Sequence, residues 1–190
     1  ADFYTQRAEQ IFDDTPIQHW ADKEGGANFD DVVNIKALGS ELMRQTQNGT
    51  TGDLARALEF ATWSRRYVQR RMEERAWGWL EMGLSAVQVL RQDKADDKTL
   101  MARESLMLSE LGEVYQVLGQ MKKALEYYEQ VLPIDCEVGN RGGEATTLNN
   151  IGAVYSALGE KQKALAYYEQ ALPIRHEVGD RGGEATTLNN

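Results

Sequence analysis

The sequence has few of the residues from which metal sites and disulfide bonds are built. It contains one cysteine, Cys136, and two histidines far apart in the chain, so neither an internal disulfide nor a metal site is expected. It also lacks any apolar run close to the roughly 20 residues that span a bilayer, and its first residues lack a signal-peptide pattern. We therefore expect a chain without a metal ion, a cofactor or a membrane span, and the scarcity of cysteine favours the cytoplasm.

Basic residues are in the minority. The 21 Lys and Arg stand against 30 Asp and Glu, which gives a net charge of -9. This balance disfavours binding to nucleic acid or to anionic membranes. Eight acidic residues fall within residues 1–33, with only Arg7 and Lys23 to balance them. We interpret residues 1–52 as an acidic N-terminal helical cap that ends in a turn-forming run.

An internal repeat organises the second half of the chain. Residues 111–150 and 151–190 match almost position for position at a spacing of 40, which indicates duplication. Apolar positions at helical spacing predict two successive helices per repeat, each with one buried stripe. Gly152 and Ala164 are expected to face each other, because small residues let two helix backbones approach closely. The first stripe contains Leu148, Ile151, Gly152 and Tyr155, and the second contains Ala164, Leu165, Tyr168, Ala171 and Leu172.

Glycines are predicted to end these helices. Gly159 is placed to end the first helix in the left-handed conformation, and the second helix is predicted to continue past Pro173 as far as Gly179. Asp180 or Arg181 then begins the next helix. Each repeat is therefore predicted to be one helical hairpin.

The apolar and small residues resemble the tetratricopeptide signature. The motif reads Leu148-x2-Ile151-Gly152-x2-Tyr155 and continues as Ala164-x3-Tyr168-x2-Ala171. The 40-residue period resembles the longer repeats of the Pins/LGN and kinesin-light-chain groups and of bacterial CHAT-associated arrays. This resemblance implies an all-α fold in which antiparallel helical hairpins stack into a right-handed superhelix. Residues 105–190 would form this array, with two clear repeats and the start of a third.

Residues 53–104 depart from the regular pattern. The run Trp79-x2-Met82-Gly83-x2-Ala86 has the spacing of a first helix, yet it lies too close to the next repeat for a standard unit. Counting helices backwards predicts helices at about 53–71, 73–92 and 97–118, with the middle helix in the second-helix place. We therefore interpret residues 53–104 as irregular tetratricopeptide-like helices.

A stacked array of hairpins has a concave wall formed mainly by its first helices, where an extended peptide can bind. Asn149 is the strongest candidate for such binding, because an amide side chain both donates and accepts hydrogen bonds. In the resembling families, asparagines on this wall bind the peptide. The alternative is that Asn149 and Asn150 bond to neighbouring helices and order the stack. The predicted peptide-binding residues are Asn149, Asn150, Thr146, Ser156, Ala153, Ser109, Glu113 and Gln116, with Leu106 beside them.

Three other sequence features suggest chemistry but have a structural interpretation. Five arginines between Arg65 and Arg75, interleaved with aromatic residues, could bind nucleic acid, but a solvated helix face is favoured because two glutamates dilute their charge. Cys136 with a histidine is the sole candidate for a Cys-His pair, and it falls at a variable repeat position. The Gly142-Gly143 and Gly182-Gly183 pairs lack a preceding strand, so they are interpreted as loops and not as phosphate-binding turns. No catalytic residue is expected, and the chain is not expected to be an enzyme.

The sequence thus predicts a module that binds a protein or an extended peptide, as a scaffold or adaptor. The alternative function is a regulatory or sensor arm of a larger enzyme or signalling protein. Because the sequence stops at Asn190, midway through a predicted first helix, we also expect it to be a fragment of a longer array. Without the following helix Leu188 would lack a partner face, so we expect the last helix to fray or to self-associate.

Overall fold

The computed structural model describes residues 50–52, 54, 55, 57–62 and 74–190 of the chain. The chain divides into two compact units, Ala1–Ala95 and Asp96–Asn190, which are described separately. The predicted acidic cap up to residue 49 and the side chains of the arginine cluster lie outside the described residues. The predictions made for them stay predictions.

The first unit contains two described helical stretches. The backbone between residues 51 and 62 is helical at every described position, and helix α1 spans Glu74–Gln92. Phe60 packs edge to face on Trp79 of α1, with ring centroids 5.1 Å apart and an interplanar angle of 73°. Both rings are buried, so this contact joins the two stretches. The helix predicted at about residues 73–92 is confirmed.

The second unit, all of whose residues are described, is built from consecutive helical hairpins. Helix α2 pairs with α3 and α4 pairs with α5, while α3 also packs on α4 and α5 on α6. No strand occurs in this unit. The predicted all-α repeat architecture is therefore confirmed, and each hairpin packs on the next. The helices are α2 (Lys98–Val117), α3 (Met121–Val138), α4 (Arg141–Ala157), α5 (Lys161–Glu177) and α6 (Arg181–Asn189).

Polar side chains begin the first helix of each hairpin. The Oδ1 atom of Asn140 accepts a hydrogen bond from the backbone N–H of Gly143, and Asp180 does the same for Gly183. Asp97 caps α2 in the same way. These contacts satisfy backbone donors that the first turn of a helix leaves unpaired. The interpretation of the two glycine pairs as loops was wrong, because they lie in the first turns of α4 and α6.

The predicted helix ends are confirmed. Gly159 follows α4 with φ of 80°, and Gly179 follows α5 with φ of 70°. Both values lie in the left-handed region, which favours glycine. Helix α5 continues past Pro173 to Glu177, as predicted.

The core of the second unit is continuous between hairpins. One buried cluster joins α3 to α4, and a second joins α4 to α5, while Leu132 and Tyr167 pack against both. Leu165 is exposed, so its predicted place in a buried stripe was wrong. Its repeat equivalent Leu125 packs against the first cluster, which includes residues of the following hairpin. The clusters contain Ala124, Tyr128, Ile151 and Val154, and Ala145, Leu148, Ala171 and Ile174.

The close approach at Gly152 involves a tyrosine ring. A Cβ atom at this position would lie 2.5 Å from Cε1 of Tyr168, and the same distance separates a Cβ at Gly112 from Cε1 of Tyr128. The nearest atoms to a Cβ at Gly152 thus belong to Tyr168, and the expected facing of Gly152 and Ala164 stays a prediction. The absence of a side chain on the first helix makes room for the aromatic ring of the second helix.

Candidate functional site

The predicted peptide-binding residues lie on α2 and α4, the first helices of the two hairpins. All except Asn149 are exposed or half-buried, while Asn149 is only 8% exposed. Helix α4 therefore presents a polar, accessible face beside its buried residues Leu148 and Ile151. The exposed members are Thr146, Ser156 and Glu113, and the half-buried members are Asn150, Ala153, Ser109 and Gln116.

Asn149 connects two successive first helices. Its Oδ1 accepts a hydrogen bond from Oγ1 of Thr187 at 3.0 Å and another from Nδ2 of Asn190 at 3.2 Å. Because these partners come from α6 and the residue after it, Asn149 links neighbouring repeats. This contact supports the alternative in which Asn149 orders the stack of helices. The part of Asn149 in peptide binding stays a prediction.

Tyr128 also links neighbouring helices through hydrogen bonds, one repeat earlier. Its hydroxyl donates to Oε1 of Gln116 on α2 at 3.0 Å, and it also makes a hydrogen bond with Asn150 on α4. Burial raises the pKa of Tyr128 well above its usual range, and the negative charge of Glu113 adds to this effect. The phenol is therefore protonated at neutral pH and holds Gln116 and Asn150 together. Sequence reasoning placed its repeat equivalent, Tyr168, in the apolar stripe and missed this role of the Tyr128 hydroxyl.

A stack of two tyrosines and a lysine recurs in each hairpin. The rings of Tyr155 and Tyr167 are stacked, with centroids 5.5 Å apart, and Nζ of Lys163 lies 5.0 Å from the Tyr155 centroid. In the preceding hairpin, Tyr115 stacks on Tyr127 at 5.3 Å and Lys123 lies over Tyr115. The stack joins the two helices of each hairpin and favours one position of the lysine ammonium group. Its sequence signal was the 40-residue recurrence of all three residues.

Asp135 is a buried carboxylate at a junction between hairpins. Its Oδ1 accepts hydrogen bonds from the Ser105 hydroxyl at 2.6 Å and from Nδ2 of Asn140 at 3.1 Å. Burial nevertheless raises the pKa of Asp135 above its ordinary value of 3.8. The equivalent residue of the next repeat is Arg175, which is also buried and pairs with Asp180. The two junctions therefore use buried groups of opposite charge.

Replacing Asp135 by asparagine is expected to raise the unfolding midpoint at neutral pH. The folded chain binds a proton on Asp135 more readily than the unfolded chain does. The free energy of unfolding of the chain therefore falls as the pH rises through the folded pKa of Asp135. Asparagine stays neutral, and its Oδ1 retains both acceptor positions, because both hydrogen bonds are made to one oxygen. The advantage of Asp135→Asn should shrink between about pH 7 and about pH 4 in thermal melts. A difference that is constant over this range would contradict the assignment.

The remaining chemistry of the described residues gives no support for catalysis. Partial burial raises the pKa of the Cys136 thiol, and the neighbouring Glu144 adds to this effect, whereas an activated cysteine nucleophile has a lowered pKa. His176 occupies the equivalent position of the next repeat, 40 residues further along the chain, where it contacts Glu184. Within the described ranges, no group of three or more His, Cys, Asp or Glu side chains is placed to hold a metal ion. Nor does any helix of the described part have the length and apolar content needed to cross a membrane.

Stacked antiparallel hairpins that share their cores define the second unit as a helical repeat, and the comparisons with known proteins give its family. Residues 103–177 match the family model of the tetratricopeptide repeat. This segment therefore belongs to the tetratricopeptide repeat family. It is a helical-repeat scaffold of a class that generally mediates protein interactions without catalysis.

The chain is similar to a number of solved structures, among them the following two. BtubC (BKLC) from P. vanneervenii shares 25% sequence identity, with a TM-score of 0.45, over 78% of this chain and 63% of that one. The chain thus spans less than two thirds of the BtubC chain. A putative kinesin light chain of Podosopora anserina with nearly identical TPR-like repeats shares 15% identity, with a TM-score of 0.37, over 93% of this chain and 95% of that one. Among curated proteins, none matches the sequence.

Proposed function

We propose that the chain is a scaffold or adaptor module that binds an extended peptide, or an extended segment of a partner protein, along the concave face of its first helices. The observation that supports this most directly is the accessible polar face of α2 and α4, which carries seven of the eight predicted residues at exposed or half-buried positions. Such a face offers hydrogen bonds to a peptide backbone in every hairpin.

The chemistry of this face suits an internal segment of a partner. Of the eight residues, only Glu113 is charged, and none is Lys or Arg. A terminal carboxylate would require a positive partner, whereas amides and hydroxyls bond to backbone N–H and C=O groups of any sequence. Gln116 and Asn150 are positioned by Tyr128, so part of this surface is organised before a ligand arrives.

A large side chain placed on this face is expected to block binding. Thr146 is exposed, and its hydroxyl bonds only within its own helix, so Thr146→Arg should leave the fold intact. Peptides selected from a random display library against the 190-residue chain would serve as probes in fluorescence anisotropy. We expect Thr146→Arg to raise their Kd by about tenfold or more, since steric exclusion removes contacts worth over about 1.4 kcal/mol.

Gln170→Arg provides the matched control for this test. Gln170 is exposed on α5, a second helix, and its side chain also bonds only within its own helix. We expect the selected peptides to bind Gln170→Arg with Kd values within about twofold of those for the unmodified chain. Equal losses in the two variants, or none in Thr146→Arg, would count against the concave face. Asn149→Ala is a weaker test, because it also removes the link to α6.

Self-association through α6 stays a prediction. Leu188 is 68% exposed, whereas its repeat equivalent Leu148 is buried against Ala171 and Ile174 of α5. Helix α6 thus exposes an apolar side chain at a position that is buried in the preceding repeat.

A further inference from the structure

The turns within the two hairpins carry exposed apolar side chains. We call residues 117–123 and 157–163 the turn edge, because they contain the turn of each hairpin and the start of its second helix. Leu118 is 37% exposed and Leu158 is 41% exposed, and these leucines occupy equivalent repeat positions. Val117 is exposed beside them. An apolar feature that recurs at one edge of a helical repeat is a candidate contact surface.

An open depression lies between the two turns. Its volume is about 360 Å³, and it is lined by Gly119, Gln120, Met121, Lys122, Lys123 and Leu158. This is near the lower end of the range of about 300–1,000 Å³ that is typical of small-ligand sites. It therefore has room for one or two side chains of a peptide.

The turn edge is basic although the chain as a whole is acidic. It carries four lysines against one acidic residue, Glu160, while the whole chain has a net charge of -9. Lys122 and Lys123 line the depression itself. Lys123 also lies over the ring of Tyr115, with Nζ 4.9 Å from the centroid, which favours this position of its ammonium group. Positive charge beside an exposed apolar site favours a ligand that is both acidic and apolar.

We propose that the turn edge binds a short acidic segment of a partner protein that carries one large apolar side chain. The apolar side chain enters the depression beside Leu158, and the carboxylates pair with Lys122 and Lys123. A long polyanion fits less well, because beyond the turn edge it meets a chain with an excess of acidic residues. This surface is distinct from the concave face, and a partner could occupy both.

Binding of defined acidic peptides tests the proposal. The probes are fluorescein-labelled peptides of Asp and Glu with one central Leu, Met, Phe or Trp, and the same peptides with Asn and Gln in place of the acids. We expect saturable binding of at least one acidic probe to the 190-residue chain, and no saturation with its amide counterpart. Binding should weaken when NaCl rises from about 0.05 M to about 0.5 M, since salt screens exposed charges. An absence of saturation with every acidic probe, or equal binding of the two sets, would overturn the proposal.

Variants of the chain then locate the bound probe. Leu158→Ser should raise its Kd by about tenfold, because an apolar contact is lost, and Lys122→Gln with Lys123→Gln should raise it by about fivefold. The matched controls are Leu165→Ser, at an exposed leucine of α5, and Lys94→Gln with Lys98→Gln. Lys98 begins α2, about 28 Å along the helix from Val117.

The controls should leave the Kd within about twofold of the unmodified chain. Controls that weaken binding as much as the turn-edge variants would place the probe elsewhere and overturn the proposal. The same conclusion would follow if an oligouridylate bound more tightly than the acidic probes and lost affinity in the lysine variant, because the turn edge would then be a nucleic-acid site.

Discussion

Replacing Tyr128 by alanine is expected to lower the free energy of unfolding by about 3–5 kcal/mol. Tyr128 has the largest fully buried side chain among the described residues. Its ring fills the space left by the missing side chain of Gly112 and packs against Ile151 and Val154 of the next hairpin. Truncation would therefore open a cavity at the junction between α2, α3 and α4. The expected shift in the melting midpoint is about 6–20 °C, measured by far-UV circular dichroism.

Tyr128→Phe separates the ring from the hydroxyl. This variant keeps the packing but removes the hydrogen bonds to Gln116 and Asn150. The expected loss is about 1 kcal/mol, because water can reach both half-buried partners. Glu126→Ala, at an exposed position of α3, should change stability by less than about 0.5 kcal/mol. If Tyr128→Ala melted like Glu126→Ala, the assigned packing would be wrong.

The helices of the second unit could be predicted because their signals are local. Gly159, Gly179 and Pro173 act through the backbone within one or two turns, and the apolar spacing identifies a buried face without reference to the rest of the chain. Duplication strengthened each of these signals, since every position could be read twice. For these reasons the hairpins and their boundaries agree with the structure to within a few residues.

The partners of individual side chains could not be predicted in this way. The apolar pattern indicates that Gly152 and Tyr168 are both buried, but not that the ring occupies the space beside the glycine. Asn149 left two roles open because its partner Thr187 lies in a different repeat. Nothing in the local sequence pattern singles out Asp135, and only packing shows that its carboxylate is enclosed. Such contacts depend on the stacking of hairpins, which a periodic sequence does not specify at the level of atoms.

The candidate site was predicted as a surface but not as a set of contacts. The first-helix face from Thr146 to Ser156 follows directly from the position of the buried stripe. The role of Tyr128 was missed because a single residue can serve two purposes, with its ring in the core and its hydroxyl at the polar margin. The turn edge was missed for a different reason: its leucines and lysines have no helical period, and Leu158 meets Lys122 and Lys123 only where two turns lie side by side.

Gly152→Leu is expected to lower the free energy of unfolding by about 1–3 kcal/mol, because the new side chain overlaps the ring of Tyr168. Even the first atom of that side chain would lie 2.5 Å from Cε1 and 2.7 Å from Cδ1 of the ring, so α4 and α5 would have to separate. Gly142→Leu is the matched control on the same helix, because nothing lies within 4 Å of a Cβ at Gly142. That variant should be neutral or stabilising, since leucine favours the helix more than glycine does.

A double-mutant cycle identifies the tyrosine as the source of the strain. If the ring is what the leucine displaces, Gly152→Leu should cost much less in a Tyr168→Ala background, with a coupling free energy of about 0.5–3 kcal/mol in urea denaturation. The leucine would then occupy part of the volume that the ring has vacated. Additive losses from the two substitutions would place the strain elsewhere in the hairpin. An unfolding midpoint unchanged by Gly152→Leu would show that α4 and α5 are not packed as closely as the geometry requires.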